Sequence, residues 1–248
     1  MIGLDPGQFA KRFPWSRPLG PGWDILYDYR TLYIRKGIAQ AQLSQWDAAA
    51  ATFAQAITLA TERVGVWYQH ALLRLKVNDP AGYRWACGRL RRSFGRLEDP
   101  DPARLMAWTF VLGADAVIEG DKCVQVVEKA SVGPKPYLHL NTLGATLYRA
   151  GKFEAAIRRL NEAVEAHGKG GTARDWLFLA MAKQRLGRLG EARDALDKGI
   201  QWIEQMEQMK LRDEFIPVPF PWEVRLEFEL LRGEAERLLK EDTPGPQK

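Results

Sequence analysis

Small residues recur at one fixed spacing in three separate segments of the chain. In each segment a glycine or alanine is followed after 12 residues, and again after a further 7, by another small residue. The three sets are Gly37, Ala49 and Ala56; Gly144, Ala156 and Ala163; and Ala180, Ala192 and Gly199. Two antiparallel helices approach closely only where a side chain is missing. The spacing therefore predicts tightly packed helical hairpins, with the third small residue of each set facing the next hairpin.

The sequence from Asp24 onward is typical of helices rather than strands. Alternating β-branched runs are absent, and Ala, Leu, Arg and Glu dominate. Clusters of Gly and Pro interrupt the chain at fairly regular intervals, and the segments between them suit a pair of helices each. The equivalent residues Ala156 and Ala192 lie 36 residues apart. We therefore expect an all-α fold built from repeated hairpins.

These features resemble the tetratricopeptide repeat (TPR) family, whose period is about 34 residues. Three clear units cover residues 30–62, 137–167 and 173–204, and two weaker units cover 65–96 and 103–131. In the weaker units Tyr83, Val111 and Cys123 stand at small positions, so we expect the second hairpin to open locally. The resemblance implies a TPR-like superhelix, or α-solenoid, of about five helical hairpins with a C-terminal capping helix.

We expect five parts along the chain. They are an irregular N-terminal segment (1–23), the repeat domain (24–210), a Pro-rich connector (211–221), the capping helix (222–241) and a disordered tail (242–248). The last helix has an apolar stripe opposite its charges, formed by Val224, Phe228, Leu231, Ala235 and Leu238. Each hairpin of a solenoid leaves an apolar face bare, so the array needs such a cap.

Two longer stretches give a closer resemblance. LAMAKQRLGRLGEAR (179–193), followed by the terminal helix, and VWYQHALLRLKVNDPAGYRWACGRLRRSFG (66–95) are similar to TPR modules of planctomycete-type bacteria. Those modules commonly follow a serine/threonine kinase domain or a WD40 propeller. This chain contains neither kinase motifs nor propeller blades. The resemblance therefore implies a scaffold role rather than an activity.

Charge and cysteine content limit the classes of partner and compartment. The net charge of +5 permits an acidic partner or a nucleic acid, although an excess of solvated arginine is the commoner reason for it. The N-terminus lacks the apolar core of a signal peptide, and the apolar run 106–118 is too short to span a bilayer. Cys87 and Cys123 share no metal-ligand spacing and indicate free thiols. We expect a cytoplasmic protein that does not enter a membrane.

Residues suited to catalysis are scarce. His70, His139 and His167 are scattered without metal-binding spacing, which indicates satisfied packing or helix-capping roles. The stretch HGKGGT (167–172) lacks the spacing of a phosphate-binding loop and predicts a turn between helices. No serine or cysteine has a plausible histidine partner close in sequence. We therefore expect a protein that is not an enzyme and uses no cofactor or metal.

The function implied by the resemblance is binding of a protein or peptide. In TPR proteins the first helices of successive units line a concave groove, so their non-core positions are candidate partner contacts. These positions are Tyr68, Trp108, Asn141, Tyr148, Arg149, Arg174, Leu177, Met181 and Arg185. An apolar anchor near Trp108 and Tyr148, flanked by the three arginines, predicts recognition of an acidic segment. The alternative for Tyr68, Trp108 and Leu177 is that they only seal contacts between helices.

Two other functions remain open. GYRWACGRLRRSFGR (82–96) contains no acidic residue, and its arginines could line the phosphates of a nucleic acid: Arg84, Arg89, Arg92 and Arg96. Against this, the segment is predicted to be a second helix on the convex side, where a solvated charged face is commoner. The other alternative is a regulatory module for an associated enzyme. Chaperone binding is not predicted, because Asn141 matches only one element of the Lys and Asn set that TPR clamps use.

Overall fold

The computed structural model describes residues 23–59, 63–94, 100–114, 120–130, 137–212 and 221–241. Eleven α-helices and no β-strand lie in these residues. In chain order the helices are α1 (Trp23–Gln42), α2 (Trp46–Leu59), α3 (Val64–Lys76), α4 (Pro80–Phe94), α5 (Pro100–Val111), α6 (Gly120–Ala130), α7 (Tyr137–Arg149), α8 (Phe153–His167), α9 (Ala173–Arg185), α10 (Leu189–Arg212) and α11 (Trp222–Glu241). Most of the expected N-terminal segment and connector, and the whole tail, lie outside the described residues. Within the described ranges, no helix combines the length and apolarity that a membrane span needs.

The first ten helices pair into five successive hairpins. Helix α1 packs against α2, α3 against α4, α5 against α6, α7 against α8, and α9 against α10. The first helices α3, α5, α7 and α9 contact one another in turn and form the inner layer. This arrangement is the all-α, TPR-like superhelix that the sequence predicts.

The small residues allow the close approach that their spacing predicts. A Cβ atom on Gly144 would lie 2.5 Å from Cγ of Leu160, and one on Gly37 would lie 2.7 Å from the Phe53 ring. Both distances are far below van der Waals contact, so a side chain at either glycine would push the two helices of its hairpin apart. Ala156 and Ala163 are fully buried. The predicted close packing at Gly37 and Gly144 is confirmed. Gly199 does not face a next hairpin as expected, because a Cβ atom there would lie 3.2 Å from Leu177 on the first helix of its own hairpin.

The turns inside four hairpins share one backbone feature. In each turn, the residue two positions after the end of the first helix has a left-handed conformation. These residues are Ser44 (φ 58°), Asn78 (φ 54°), Gly151 (φ 74°) and Gly187 (φ 72°). Glycine adopts this conformation without strain, and asparagine tolerates it better than most residues do. The four hairpins therefore reverse the chain in the same way.

The second hairpin differs because Tyr83 replaces a small residue. The buried Tyr83 hydroxyl accepts a hydrogen bond from the Gly113 N–H (3.0 Å) and donates one to the Thr109 carbonyl (2.8 Å). A Cβ atom on Gly113 would lie 2.7 Å from the Tyr83 ring. Tyr83 therefore joins the second hairpin to the third, and the expected local opening of the second hairpin stays a prediction.

Helix α11 packs on the last hairpin, as a capping helix does, but it also reaches α3 and α1. The residues that it buries are Trp222, Leu226, Glu227, Phe228, Leu231 and Ala235. The Phe228 ring centroid lies 5.5 Å from that of Trp202 on α10, and the Trp222 ring lies 6.1 Å from Phe53 on α2. Helix α11 therefore runs along the concave groove from the first hairpin to the last, as well as covering the end of the array.

Candidate functional site

The carboxylate of Glu227, on α11, lies in the concave groove with 0% solvent exposure. Its Oε1 accepts hydrogen bonds from the Tyr68 hydroxyl and the Trp108 indole N–H, both at 2.5 Å. Its Oε2 accepts hydrogen bonds from Nε of Arg174 at 2.7 Å and from Nη2 of the same residue. A buried carboxylate is tolerated only when it is paired and hydrogen-bonded. Three residues predicted to contact a partner thus converge on one acidic residue of the same chain.

The pKa values of Arg174 and Tyr68 reflect this convergence. Burial lowers the pKa of the Arg174 guanidinium, but the charge of Glu227 raises it, and the net pKa lies above its usual value. Burial and Glu227 together raise the pKa of Tyr68 well above its usual value, so its hydroxyl remains a donor. The Arg174 guanidinium also lies 5.3 Å from the Trp108 ring centroid, within the range of a cation–π contact. Glu227 therefore faces two neutral donors and one stable positive charge.

Arg149 forms a second ion pair with α11. Its Nη2 donates to Oε2 of Glu234 at 2.6 Å, its Nη1 donates to Oε1, and its Nε donates to the Val111 carbonyl at 2.8 Å. The side chains of Arg149 and Glu234 are 14% and 15% exposed. Burial lowers the pKa of Arg149, but Glu234 raises it, and the net shift is upward. Arg149 was predicted to contact a partner, and in this structure Glu234 engages two of its three nitrogens.

The two glutamates that bind these arginines lie on one side of α11. Glu227 and Glu234 are seven residues apart, which is two helical turns. Nearer the end of α11, Nε2 of Gln184 donates to the Leu238 carbonyl at 3.1 Å. On the α3 side, Lys76 forms an ion pair with Glu229. The groove therefore holds an acidic amphipathic helix from its own chain.

Asn141 takes part in a buried contact between the fourth and fifth hairpins. Its Nδ2 donates to Oδ1 of Asp175 at 2.7 Å. The other oxygen of Asp175 accepts hydrogen bonds from the Tyr137 hydroxyl and the Thr172 N–H, both at 2.8 Å. Burial raises the pKa of Asp175, although these hydrogen bonds oppose the shift. Because Asp175 also closes a capping box at the start of α9, Asn141 helps to position that helix against α7.

The other predicted groove residues differ in exposure. Leu177 and Met181 are fully buried, and Tyr148 is buried with its ring centroid 5.7 Å from that of Phe178. In this structure these three residues seal contacts between helices. Arg185, in contrast, is exposed at the end of α9.

A cavity of about 150 Å³ lies beside Glu227, at the junction of α3, α5, α7, α9 and α11. Four of the predicted residues line it together with four others: Tyr68, Trp108, Asn141 and Arg174, with Arg104, Leu105, Leu138 and Glu227. Leu138 is 39% exposed, so this wall of the cavity meets solvent. The sequence analysis did not identify Arg104 as a candidate. It lies four residues before Trp108 and therefore on the same face of α5.

Two of the histidines, His70 on α3 and His139 on α7, are buried. Burial, assisted by Arg74, lowers the pKa of His70 to about 3, and Nε of Arg74 donates to Nε2 of His70 at 3.4 Å. Both ring nitrogens of His139 are buried without a hydrogen-bond partner among the described residues. The expectation that His139 is a satisfied core residue is therefore wrong. Within the described ranges, no group of three or more His, Cys, Asp or Glu side chains could hold a metal ion.

The arginine-rich segment forms an exposed face of α4. Arg84, Arg89 and Arg92 are exposed on this helix, and Arg96 lies outside the described residues. Trp85 on the same helix is half exposed, and its ring centroid lies 5.8 Å from that of Trp67. Because α4 is the second helix of its hairpin, this face lies away from the groove.

Comparisons with known proteins support the fold. No protein-family model matches the sequence, and no curated protein matches it significantly. The solved structure of TTC0263, a thermophilic TPR protein of Thermus thermophilus, is 18% identical and has a TM-score of 0.51. The match covers 84% of this chain and 99% of that one. YrrB, described as a TPR protein with an unusual peptide-binding site, is 14% identical with a TM-score of 0.40, over 68% of this chain and 84% of that one. The likeness to TTC0263 shows that the chain has the TPR fold. The closer resemblance to planctomycete-type modules receives no support from these structures.

Proposed function

We propose that this protein is a non-catalytic scaffold or adaptor that binds a protein or peptide segment at its concave face. The observation that carries the proposal is the way in which the groove holds α11. Arg174 and Arg149 each bind one glutamate of an acidic amphipathic helix, and aromatic rings surround both arginines. The same chemistry suits an acidic segment of a second protein where α11 leaves the groove open. That opening is the cavity beside Glu227.

Helix α11 stays in the groove in this proposal. Burying each of Trp222, Leu226, Phe228 and Leu231 stabilises the fold by about 1.5–3 kcal/mol. A competing segment would have to replace this burial and the hydrogen bonds to Glu227 at the same time. The predicted residues that face the cavity or solvent are therefore our proposed partner contacts: Tyr68, Trp108, Asn141, Arg174 and Arg185. Tyr68, Trp108 and Arg174 also hold α11 through Glu227. The remaining predicted residues do not line the cavity and only hold α11 or fill the core: Tyr148, Arg149, Leu177 and Met181.

An associated enzyme is one candidate for the partner. The resemblance to modules that accompany kinases or WD40 propellers suggests this class. In that case the scaffold would act as a regulatory module, and its addition would change the rate of the enzyme.

A pair of matched surface variants tests the proposal. Leu138→Glu places a negative charge at the wall of the cavity, and Leu43→Glu makes the same change on a 70% exposed leucine after α1. Each protein would be used to capture partners from cells that express it, with quantitative mass spectrometry. We expect a specific set of proteins to be lost with Leu138→Glu and retained with Leu43→Glu. An identical set for the two folded variants would reject the cavity as the binding site.

A nucleic-acid binder is the second candidate, because α4 combines exposed arginines with a half-exposed tryptophan. Such a face could contact phosphates and stack on a base. The expected signs are affinity for RNA or DNA that falls steeply with salt, and loss of that affinity in an Arg89→Gln/Arg92→Gln variant. If wild-type protein causes no shift of either nucleic acid at low salt, this candidate is excluded.

A further inference from the structure

We infer that the cavity beside Glu227 is a subsite for one acidic side chain of the bound partner, and that Arg104 is the residue that binds its carboxylate. This inference rests on the proposed function, because it names the chemical group that enters the cavity.

Arg104 has weaker contacts than Arg174 and Arg149. It forms an ion pair with Asp101, where the atoms Nε and Oδ1 are 3.9 Å apart and the Asp101 side chain is 82% exposed. Its Nε is buried without a hydrogen bond among the described residues. Arg174 and Arg149, in contrast, each donate at least two hydrogen bonds to a glutamate. Arg104 therefore has donor capacity that Asp101 does not use.

Glu227 cannot serve as this missing partner. Its two oxygens already accept four hydrogen bonds, from Tyr68, Trp108 and Arg174. A carboxylate offers about four lone-pair sites, so all of them are taken. The acceptor that would complete Arg104 must therefore come from another group in the cavity.

The unpaired nitrogen of Arg104 calls for an explanation. Its Nε is buried without a hydrogen bond among the described residues, and unpaired buried polar groups are rare in folded proteins. A bound carboxylate would accept the hydrogen bond that this nitrogen lacks.

Charge and size select a single carboxylate. Among the lining residues, two guanidinium groups face one carboxylate, and the only ion pair of Arg104 among the described residues is the long contact of 3.9 Å with the 82% exposed Asp101. One carboxylate neutralises the charge of Arg104, whereas a phosphate group would place a second negative charge beside Glu227. The volume of about 150 Å³ equals that of roughly five water molecules in the liquid, which is enough for an aspartate or glutamate side chain. Leu105, Leu138 and the Trp108 ring provide apolar walls for its methylene groups.

The test uses the full chain with 15N-labelled tryptophan and two small probes. N-acetyl-glutamate α-amide carries one side-chain carboxylate, and N-acetyl-glutamine α-amide is its neutral counterpart. Titration is followed by the indole N–H signals, with the Trp108 signal assigned through Trp108→Phe. We expect the glutamate probe alone to shift the Trp108 signal in a saturable way. Inorganic phosphate should bind more weakly than the glutamate probe.

Two arginine variants locate the site. Arg104→Gln should weaken binding of the glutamate probe at least about tenfold, because a charge-assisted hydrogen bond is lost. Arg158→Gln removes an exposed arginine from α8 and should leave binding unchanged. Thermal unfolding of both variants confirms that they are folded. Equal binding of the two probes, stronger binding of phosphate, or unchanged affinity in Arg104→Gln would overturn the inference.

The outcome can be separated from that of the proposed function. If Leu138→Glu abolishes partner capture while Arg104→Gln binds the glutamate probe normally, the carboxylate subsite fails and the scaffold proposal stands. If the probe binds through Arg104 while Leu138→Glu leaves partner capture intact, the subsite stands and the cavity is not where that partner binds.

Discussion

Arg174 on α9 and Glu227 on α11 form an ion pair in which the glutamate is completely buried, although the two residues lie 53 positions apart in the chain. The pair links the last hairpin of the superhelix to the helix that runs along its groove. Tyr68 and Trp108 extend the same contact to the second and third hairpins. One carboxylate therefore connects three hairpins to α11.

Removal of this carboxylate should destabilise the whole array. We expect Glu227→Leu to lower the free energy of unfolding by about 3–5 kcal/mol, because the buried Arg174 guanidinium would lose its counter-charge. Urea denaturation followed by circular dichroism measures the change. Glu229→Gln alters an exposed residue of the same helix and should cost less than about 1 kcal/mol. The double variant Glu227→Leu/Arg174→Met should be more stable than Glu227→Leu, and a further loss would contradict the role of the pair.

The close approach of α7 and α8 can be tested with a single methyl group. Gly144→Ala should lower the free energy of unfolding by about 1–3 kcal/mol, because the new Cβ would lie 2.5 Å from Leu160. Gly233→Ala in α11 is the matched control, since its Cβ would meet no atom within 4 Å. The control should gain up to about 1 kcal/mol from higher helix propensity. Equal stabilities of the two variants would disprove the packing role of Gly144.

The hydroxyl of Tyr83 should contribute to stability separately from its ring. We expect Tyr83→Phe to lower the free energy of unfolding by about 1–3 kcal/mol, because the buried Gly113 N–H loses its acceptor. Amide hydrogen exchange at Gly113 should become faster than at Gly144, whose amide lies in the middle of α7. Unchanged exchange at Gly113 would show that this hydrogen bond does not join the second and third hairpins.

Stability should fall in mild acid because of His70. Its pKa is about 3 in the folded protein and 6.5 in the unfolded chain, so the unfolded chain binds the proton first. The contribution of His70 to stability is therefore fully present above about pH 6.5 and is lost as the pH falls towards its folded-state pKa of about 3. Between pH 7.5 and pH 5 we expect His70 to lower the free energy of unfolding by about 2 kcal/mol.

A variant without the titrating ring measures that contribution. His70→Gln keeps hydrogen-bonding capacity near Arg74 but cannot be protonated, so its stability should fall less than that of the wild type over the same pH interval. Urea denaturation at both pH values gives the difference. Parallel losses in the two proteins would show that other groups cause the acid sensitivity.

The hairpins could be predicted from the sequence because their contacts are local. Gly144 meets Leu160 only 16 residues later, and Gly37 meets Phe53 at the same separation. A repeated 12-and-7 spacing of small residues therefore encodes the crossing of two neighbouring helices directly. The second hairpin could be recognised as different for the same reason, because Tyr83 interrupts the spacing of small residues.

The groove could not be predicted in the same way. The apolar stripe of α11 indicated that the helix packs against something, but not which surface it covers. Glu227 and Glu234 have the composition of a solvated helix face, and Arg149 was predicted to contact a partner. Their burial depends on partners 53 to 159 residues away in the chain.

The sequence by itself therefore determined the repeating hairpin, its turns and the TPR-like class of fold, because each depends on side-chain volume and backbone preference within about 36 residues. Only the tertiary structure decided that α11 lies along the groove, that Arg149 and Arg174 bind its glutamates, and that Arg104 remains beside an open cavity. The reason is physical: the curvature of the stacked hairpins brings Tyr68, Trp108 and Arg174 to one point, and no local pattern records that curvature.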